Sequence, residues 1–156
     1  MSEPYEEWLN GEMHLRIGPG ARHERICTRL HAVLLAGVAN LASTRLLAPR
    51  TKIQLAPPHA VRPDLALVTA ANQRLWLAVE IVNSEDHRLD TVVKKQIYED
   101  VKVPRLWMVD PRYDNVEIYH ATEYGLVLKG ILDGDEILSD SLLPEFQISI
   151  RELFAA

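Results

Sequence analysis

Val61-Arg62-Pro63-Asp64-Leu65-Ala66-Leu67-Val68 and Leu75-Trp76-Leu77-Ala78-Val79-Glu80-Ile81-Val82 are the two stretches whose reading decides the fold. Each is an apolar run of strand length, and Thr69-Ala70-Ala71-Asn72-Gln73-Arg74 joins them, with Asn72 offering a turn. A hairpin symmetric about Asn72 sets Asp64 opposite Glu80, so the two carboxylates share one face. Facing carboxylates repel unless a cation or a proton lies between them, which makes a divalent-metal site the leading expectation. The plainer alternative makes Asp64 the end of an edge strand and Glu80 a strand residue turned to water, and the register argument holds only without a bulge.

Outward from the hairpin, residues 12–17 alternate as a short strand closed by Gly18-Pro19-Gly20. Over 22–41 the apolar residues Ile26, Leu30, Val33, Leu34, Val38 and Leu41 recur at three and four, an amphipathic helix with Arg22, Arg25 and Arg29 on its outer face. Residues 44–47 and 52–55 read as short strands, the second broken by Pro57-Pro58. After the hairpin, 83–88 form a polar connection. A helix over 89–101 follows, with Leu89, Val93, Ile97 and Val101 as its stripe and Pro104 past its end. Strands are expected at 105–109, 116–120, 125–132, 136–138 and 146–150. This order describes one α/β domain over 1–156, a mixed sheet flanked by helices.

With 156 residues, 47% hydrophobic and 25% charged, the chain has the composition of a globular domain with a full core. No apolar run approaches the roughly 18–20 residues that span a bilayer. The acidic start, Met1-Ser2-Glu3-Pro4-Tyr5-Glu6-Glu7, lacks the basic-then-apolar order of a signal peptide, and the lone Cys27 reads as a core residue, so a cytoplasmic location is expected. A net charge of −5 argues against a broad nucleic-acid-binding surface, though not against a local groove. Basic residues gather in the first half and acids in the last third. A basic binding face and a solvated charge mosaic both give that distribution. Six histidines without a close ligand pair and a single cysteine do not build a zinc cage. Neither a phosphate-binding Gly-rich loop nor a serine nucleophile elbow is present.

Phosphodiester hydrolysis needs charge neutralised at phosphorus and a water activated near neutral pH. Carboxylates on neighbouring strands can hold Mg²⁺ or Mn²⁺ for that purpose. A lysine beside them can position the water and steady negative charge. The strand position for such a lysine, two residues past Glu80, holds Val82. The helix offers a replacement: Asp90, Lys94 and Tyr98 lie at i, i+4 and i+8 on one flank, and a long lysine can reach a strand-borne site. A lysine on a helix flank is also commonly just solvated.

Arg62-Pro63-Asp64-Leu65-Ala66, Ala78-Val79-Glu80-Ile81-Val82-Asn83-Ser84, the spaced Asp90, Lys94 and Tyr98, and Val103-Pro104-Arg105-Leu106-Trp107-Met108-Val109-Asp110-Pro111 together resemble the Uma-two family of restriction endonucleases, within the PD-(D/E)XK nuclease superfamily. The likeness extends to Asn10-Gly11-Glu12-Met13, Ala21-Arg22-His23, Leu142-Leu143-Pro144-Glu145-Phe146 and Glu152-Leu153-Phe154, hence to nearly the whole chain. It implies a restriction-endonuclease-like fold and an Mg²⁺- or Mn²⁺-dependent endonuclease acting on DNA. Asp64, Glu80 and the main-chain carbonyl of Ile81 would be metal ligands, and Lys94 would replace the strand lysine. Glu12 and His23 match motif positions near the site, as an added ligand and a phosphate contact or as structural residues. The family's Ser-Pro-Ser after the strand is Asn83-Ser84-Glu85 here, a departure in the following loop. Symmetric cleavage of duplex DNA needs two sites, which implies a homodimer. The rival reading is a catalytically inactive binding or scaffold protein on the same fold.

Overall fold

A computed structural model describes residues 3–156. Tyr5–Leu9 (β1) and Glu12–Arg16 (β2) form a hairpin whose two-residue turn, Asn10-Gly11, has positive φ at both positions (55° and 79°), the geometry that Asn-Gly favours. Ala60–Val61 (β5) pairs with β1 and with Ile53–Gln54 (β4), completing a small four-stranded sheet in the order β2-β1-β5-β4.

The main sheet has six strands. Its centre is Leu65–Thr69 (β6), Leu75–Ile81 (β7) and Arg105–Asp110 (β8); Asn115–Thr122 (β9) and Gly125–Leu132 (β10) extend one side, and Thr44–Leu46 (β3) closes the other. Only the β7–β8 pair is parallel. Ile137–Asp140 (β11) and Leu143–Ser149 (β12) make a separate hairpin, which leads into Ile150–Phe154 (α3).

Residues alternate between two apolar layers, as strand geometry requires. Leu65, Leu67, Leu77, Val79, Ile81, Trp107 and Val109 face a core completed by Ala21–Val38 (α1), β12 and α3. Ala78, Leu106 and Met108 face the other layer, where Ile97 and Tyr98 of Lys95–Asp100 (α2) meet Leu9 and Val61 of the small sheet. The helix α1 buries Ile26, Cys27, Leu30, Leu34 and Val38 at the expected spacing. Gly37 lets it approach β12: a Cβ there would lie 2.8 Å from that of Phe146. Among the described residues no helix is long and apolar enough to cross a membrane.

Three expectations need correction. Residues 61–68 are not one strand: the chain leaves the small sheet at Val61, crosses Arg62-Pro63-Asp64 and enters the main sheet at Leu65. Pro63 has no N–H to extend a ladder, so the break falls there. The hairpin carries a bulge, yet only at its turn end, between Leu67 and Val68; the pairs Leu65–Val79, Ala66–Ala78 and Leu67–Leu77 keep the symmetric register. The helix expected over 89–101 begins as a π-helical turn, Leu89–Lys94, before becoming α2.

Candidate active site

Asp64 precedes β6 by one residue, so the register of Leu65 with Val79 carries it to the level of Glu80. It is buried. Its Oδ2 accepts the Ile81 amide at 2.7 Å, and its Oδ1 lies 3.1 Å from an Arg50 guanidinium nitrogen and 3.5 Å from Nε2 of His23. His23, in the first turn of α1, also contacts the Ile81 carbonyl through Nε2 at 2.9 Å; a carbonyl only accepts, so Nε2 carries the hydrogen. Asp64 Oδ1 and Ile81 O, two of the three expected metal-ligand atoms, thus converge on one donor.

Glu80 lies on the face of β7 turned toward α2. Its Oε2 is 2.7 Å from Lys94 Nζ and accepts the Tyr98 hydroxyl at 2.5 Å. The π-helical turn, with its i→i+5 bonding, buries both Asp90 and Lys94. Lys94 is completely buried, and its second partner is Glu7 of β1, with Nζ 2.7 Å from Oε2. Glu7 is buried as well. It accepts the Arg62 amide at 2.7 Å and the Arg16 guanidinium at 2.5 Å. Arg16 continues the network to Asp90 at 2.7 Å and Asp86 at 2.8 Å. Buried ions of this kind persist only when paired and hydrogen-bonded throughout.

The electrostatics follow from burial and neighbours. Burial acts to lower the Lys94 ammonium, but Glu7 and Glu80 outweigh it and hold Lys94 above the usual lysine range. Burial acts to raise Glu7 and Asp64. Lys94 and Arg16 bring Glu7 below the carboxylate range, while His23, the Ile81 amide and Lys94 do so for Asp64. Glu80 goes the other way: burial pushes it to about 8, and Asp90, Glu7 and Asp64 add to that against the pull of Lys94. An anionic Asp64, a Glu80 whose charged form burial disfavours and a cationic Lys94 therefore sit within one buried cluster.

Of the residues singled out in the sequence, Asp64, Glu80, Ile81, Lys94 and His23 meet in this cluster. Glu12 does not: it is exposed at the start of β2, 3.9 Å from His14. Lys95 lies outside it, its ammonium 4.8 Å from the Tyr119 ring centre. Arg22 and Arg29 of the basic helix face are engaged locally, Arg22 with the Pro111 carbonyl and Asp114, and Arg29 with the carbonyls of Glu152, Leu153 and Ala155. Glu7, Arg16 and Arg50 are additions. For Glu7 and Arg16 the available signal was the Asn10-Gly11 turn, which pairs residues 5–9 with 12–16 and places both side chains on one hairpin. Among the described residues no three Asp, Glu, His or Cys side chains form a ready metal cage. The expected ligand set is instead two carboxylates and a carbonyl.

Six mixed strands with helices packed on them, and a buried Asp–Glu–Lys cluster where two sheets meet, define a restriction-endonuclease-like α/β domain. The profile of the Uma2 family, described as "Putative restriction endonuclease", matches residues 2–151, and the chain belongs to that family. The crystal structure of a "putative nuclease belonging to DUF820" from Anabaena variabilis superposes with a TM-score of 0.81 over 99% of this chain and 92% of that one, at 17% sequence identity. That likeness establishes the fold. No curated protein matches the sequence.

Proposed function

We propose that the protein is a metal-dependent endonuclease that hydrolyses DNA phosphodiester bonds at the Asp64–Glu80–Lys94 cluster. The observation carrying this is the convergence of Asp64 Oδ1 and the Ile81 carbonyl on the single N–H of His23, at 3.5 and 2.9 Å. Those oxygens share a point at which positive charge is favourable, and Glu80, the residue preceding Ile81 on β7, is a carboxyl whose charged form burial disfavours. An all-oxygen set of two carboxylates and one carbonyl suits Mg²⁺ or Mn²⁺. Asp64, Glu80 and the Ile81 carbonyl would hold the ion, which when bound supplies Lewis acidity and charge neutralisation.

The chain's own groups divide the remaining work. Lys94 stays an ammonium, so it cannot accept a proton; it donates hydrogen bonds and offsets negative charge developing on the phosphate. Tyr98 fixes the Glu80 carboxylate, and Glu7 with Arg16 fixes Lys94. His23 and Arg50 hold Asp64 in position. Cleavage of both strands of a duplex calls for two such sites, hence a homodimer, and one buried free thiol suits a reducing cytoplasm.

The test is hydrolysis of plasmid DNA with Mg²⁺, Mn²⁺ or EDTA by wild type and Asp64→Asn. The proposal expects cleavage with either metal, none with EDTA, and a loss of at least 100-fold in Asp64→Asn. The rival binding-protein reading draws on a specific observation: Asp64 and Glu80 already have protein donors, and Val82 occupies the strand-lysine position. DNA binding by wild type, with no cleavage in either metal, favours that rival.

A further inference from the structure

A cavity of about 440 Å³ borders the cluster, within the range typical of small-ligand pockets of roughly 300–1,000 Å³. It shares His23 with the site and is walled by Val82, the residue that follows the end of β7. Asp64, Glu80 and Lys94 are each at most 2% exposed, and the recess reaches the cluster through His23, which contacts Asp64 and the Ile81 carbonyl. Given the nuclease reading of that site, on which this inference rests, we propose that the cavity receives one unpaired nucleobase beside the scissile phosphate.

The lining's charge favours a neutral ligand. Arg22 is engaged by Asp114 and the Pro111 carbonyl, and Arg112 by both oxygens of Asp110. His23 is held by Ile81 and Asp64, and Glu85 adds a negative charge. Phosphate would find no disengaged cation among the described lining residues. Ile17, Val82 and Pro111 instead offer apolar contact to a flat ring. The Asn83 side-chain NH₂ and the Ser84 hydroxyl have no hydrogen-bond partner among the described residues, so a donor amide and a hydroxyl remain for a base edge. Next to Arg112, the exposed Tyr113 ring lies 5.1 Å from that guanidinium, a surface on which a neighbouring base can stack. A base reaches such a recess only when unpaired, by extrusion from a duplex or from a single strand.

The test measures equilibrium binding, in EDTA, of a fluorescent duplex and of the same duplex carrying one bulged nucleotide. Wild type should bind the bulged duplex at least tenfold more tightly. Ser84→Trp fills the cavity from an exposed position outside the cluster and should erase that preference while leaving fully paired DNA unaffected. Asn83→Ala should reduce it at least threefold. Equal affinities for the two duplexes, absence of binding to both, or a preference that survives Ser84→Trp overturns the inference. Cleavage of paired DNA without any bulge preference removes the pocket assignment and leaves the nuclease reading intact. A bulge preference sensitive to Ser84→Trp, in a protein that cuts nothing, removes the nuclease reading and retains the pocket.

Discussion

Replacing Glu7 with glutamine should destabilise the protein by about 3–5 kcal/mol, the range for removing one partner from a buried ion pair. Glu7 is fully buried and accepts from three donors: Arg16 at 2.5 Å, Lys94 at 2.7 Å and the Arg62 amide at 2.7 Å. Glutamine keeps the shape, but one of its two terminal groups becomes a donor facing a cation, so at least one charge-assisted bond is replaced by a repulsive contact. Arg16 retains Asp86 and Asp90, and Lys94 retains Glu80, which keeps the loss from growing further. At roughly 2–4 °C per kcal/mol for a domain of this size, the melting midpoint should fall by about 6–20 °C. The pH dependence has a definite sign. Glu7 titrates below its ordinary value in the folded state, so its contribution is present above the unfolded pKa of about 4.3 and fades as pH falls through the folded one. The stability gap between wild type and Glu7→Gln, measured by calorimetry and urea denaturation, should hold near neutrality and shrink below about pH 4. A gap under about 1 kcal/mol at pH 7, the size of an exposed pair, would refute the reasoning.

Lys94→Met should abolish cleavage by at least about 100-fold, as expected for loss of a charge-stabilising donor, whereas Lys95→Ala should stay within about twofold; equal loss in single-turnover assays would mean the two lysines are not distinguished by the fold. Glu80→Gln should leave the melting midpoint unchanged or higher, because burial already pushes this carboxyl to about 8, while metal affinity measured by calorimetric titration falls. A clear fall in the midpoint would instead make the Glu80–Lys94 pair a net stabiliser. Burial pushes the Cys27 thiol up to about 12, so native protein should resist iodoacetamide at pH 8 and unfolded protein should react stoichiometrically. Rapid native alkylation, read by mass spectrometry, would contradict that burial.

The central hairpin is legible because its apolar runs are long and its register survives where it matters; the bulge near Val68 displaces only residues remote from Asp64. Lys94 is legible because its spacing from Asp90 and Tyr98 puts all three on one flank, and a π-helical turn does not undo that. Glu7 is hidden for a physical reason. A strand glutamate beside another acid reads as solvated, since charges are seldom buried, and only a partner from a distant segment reverses the expectation. Glu7 and Lys94 come from opposite sides of the main hairpin in sequence, so no local pattern links them. Arg50 is hidden similarly, on a loop residue with a φ of 56° whose side chain bridges Glu24 and Asp64. These residues give the small sheet a role beyond covering the core. Through Glu7 it holds the lysine, and through the Arg62 amide the same carboxylate grips the crossing that delivers Asp64. One carboxylate on β1 therefore sets the positions of groups from both halves of the site. Any change that loosens β1 from β5 should disturb Asp64 and Lys94 together.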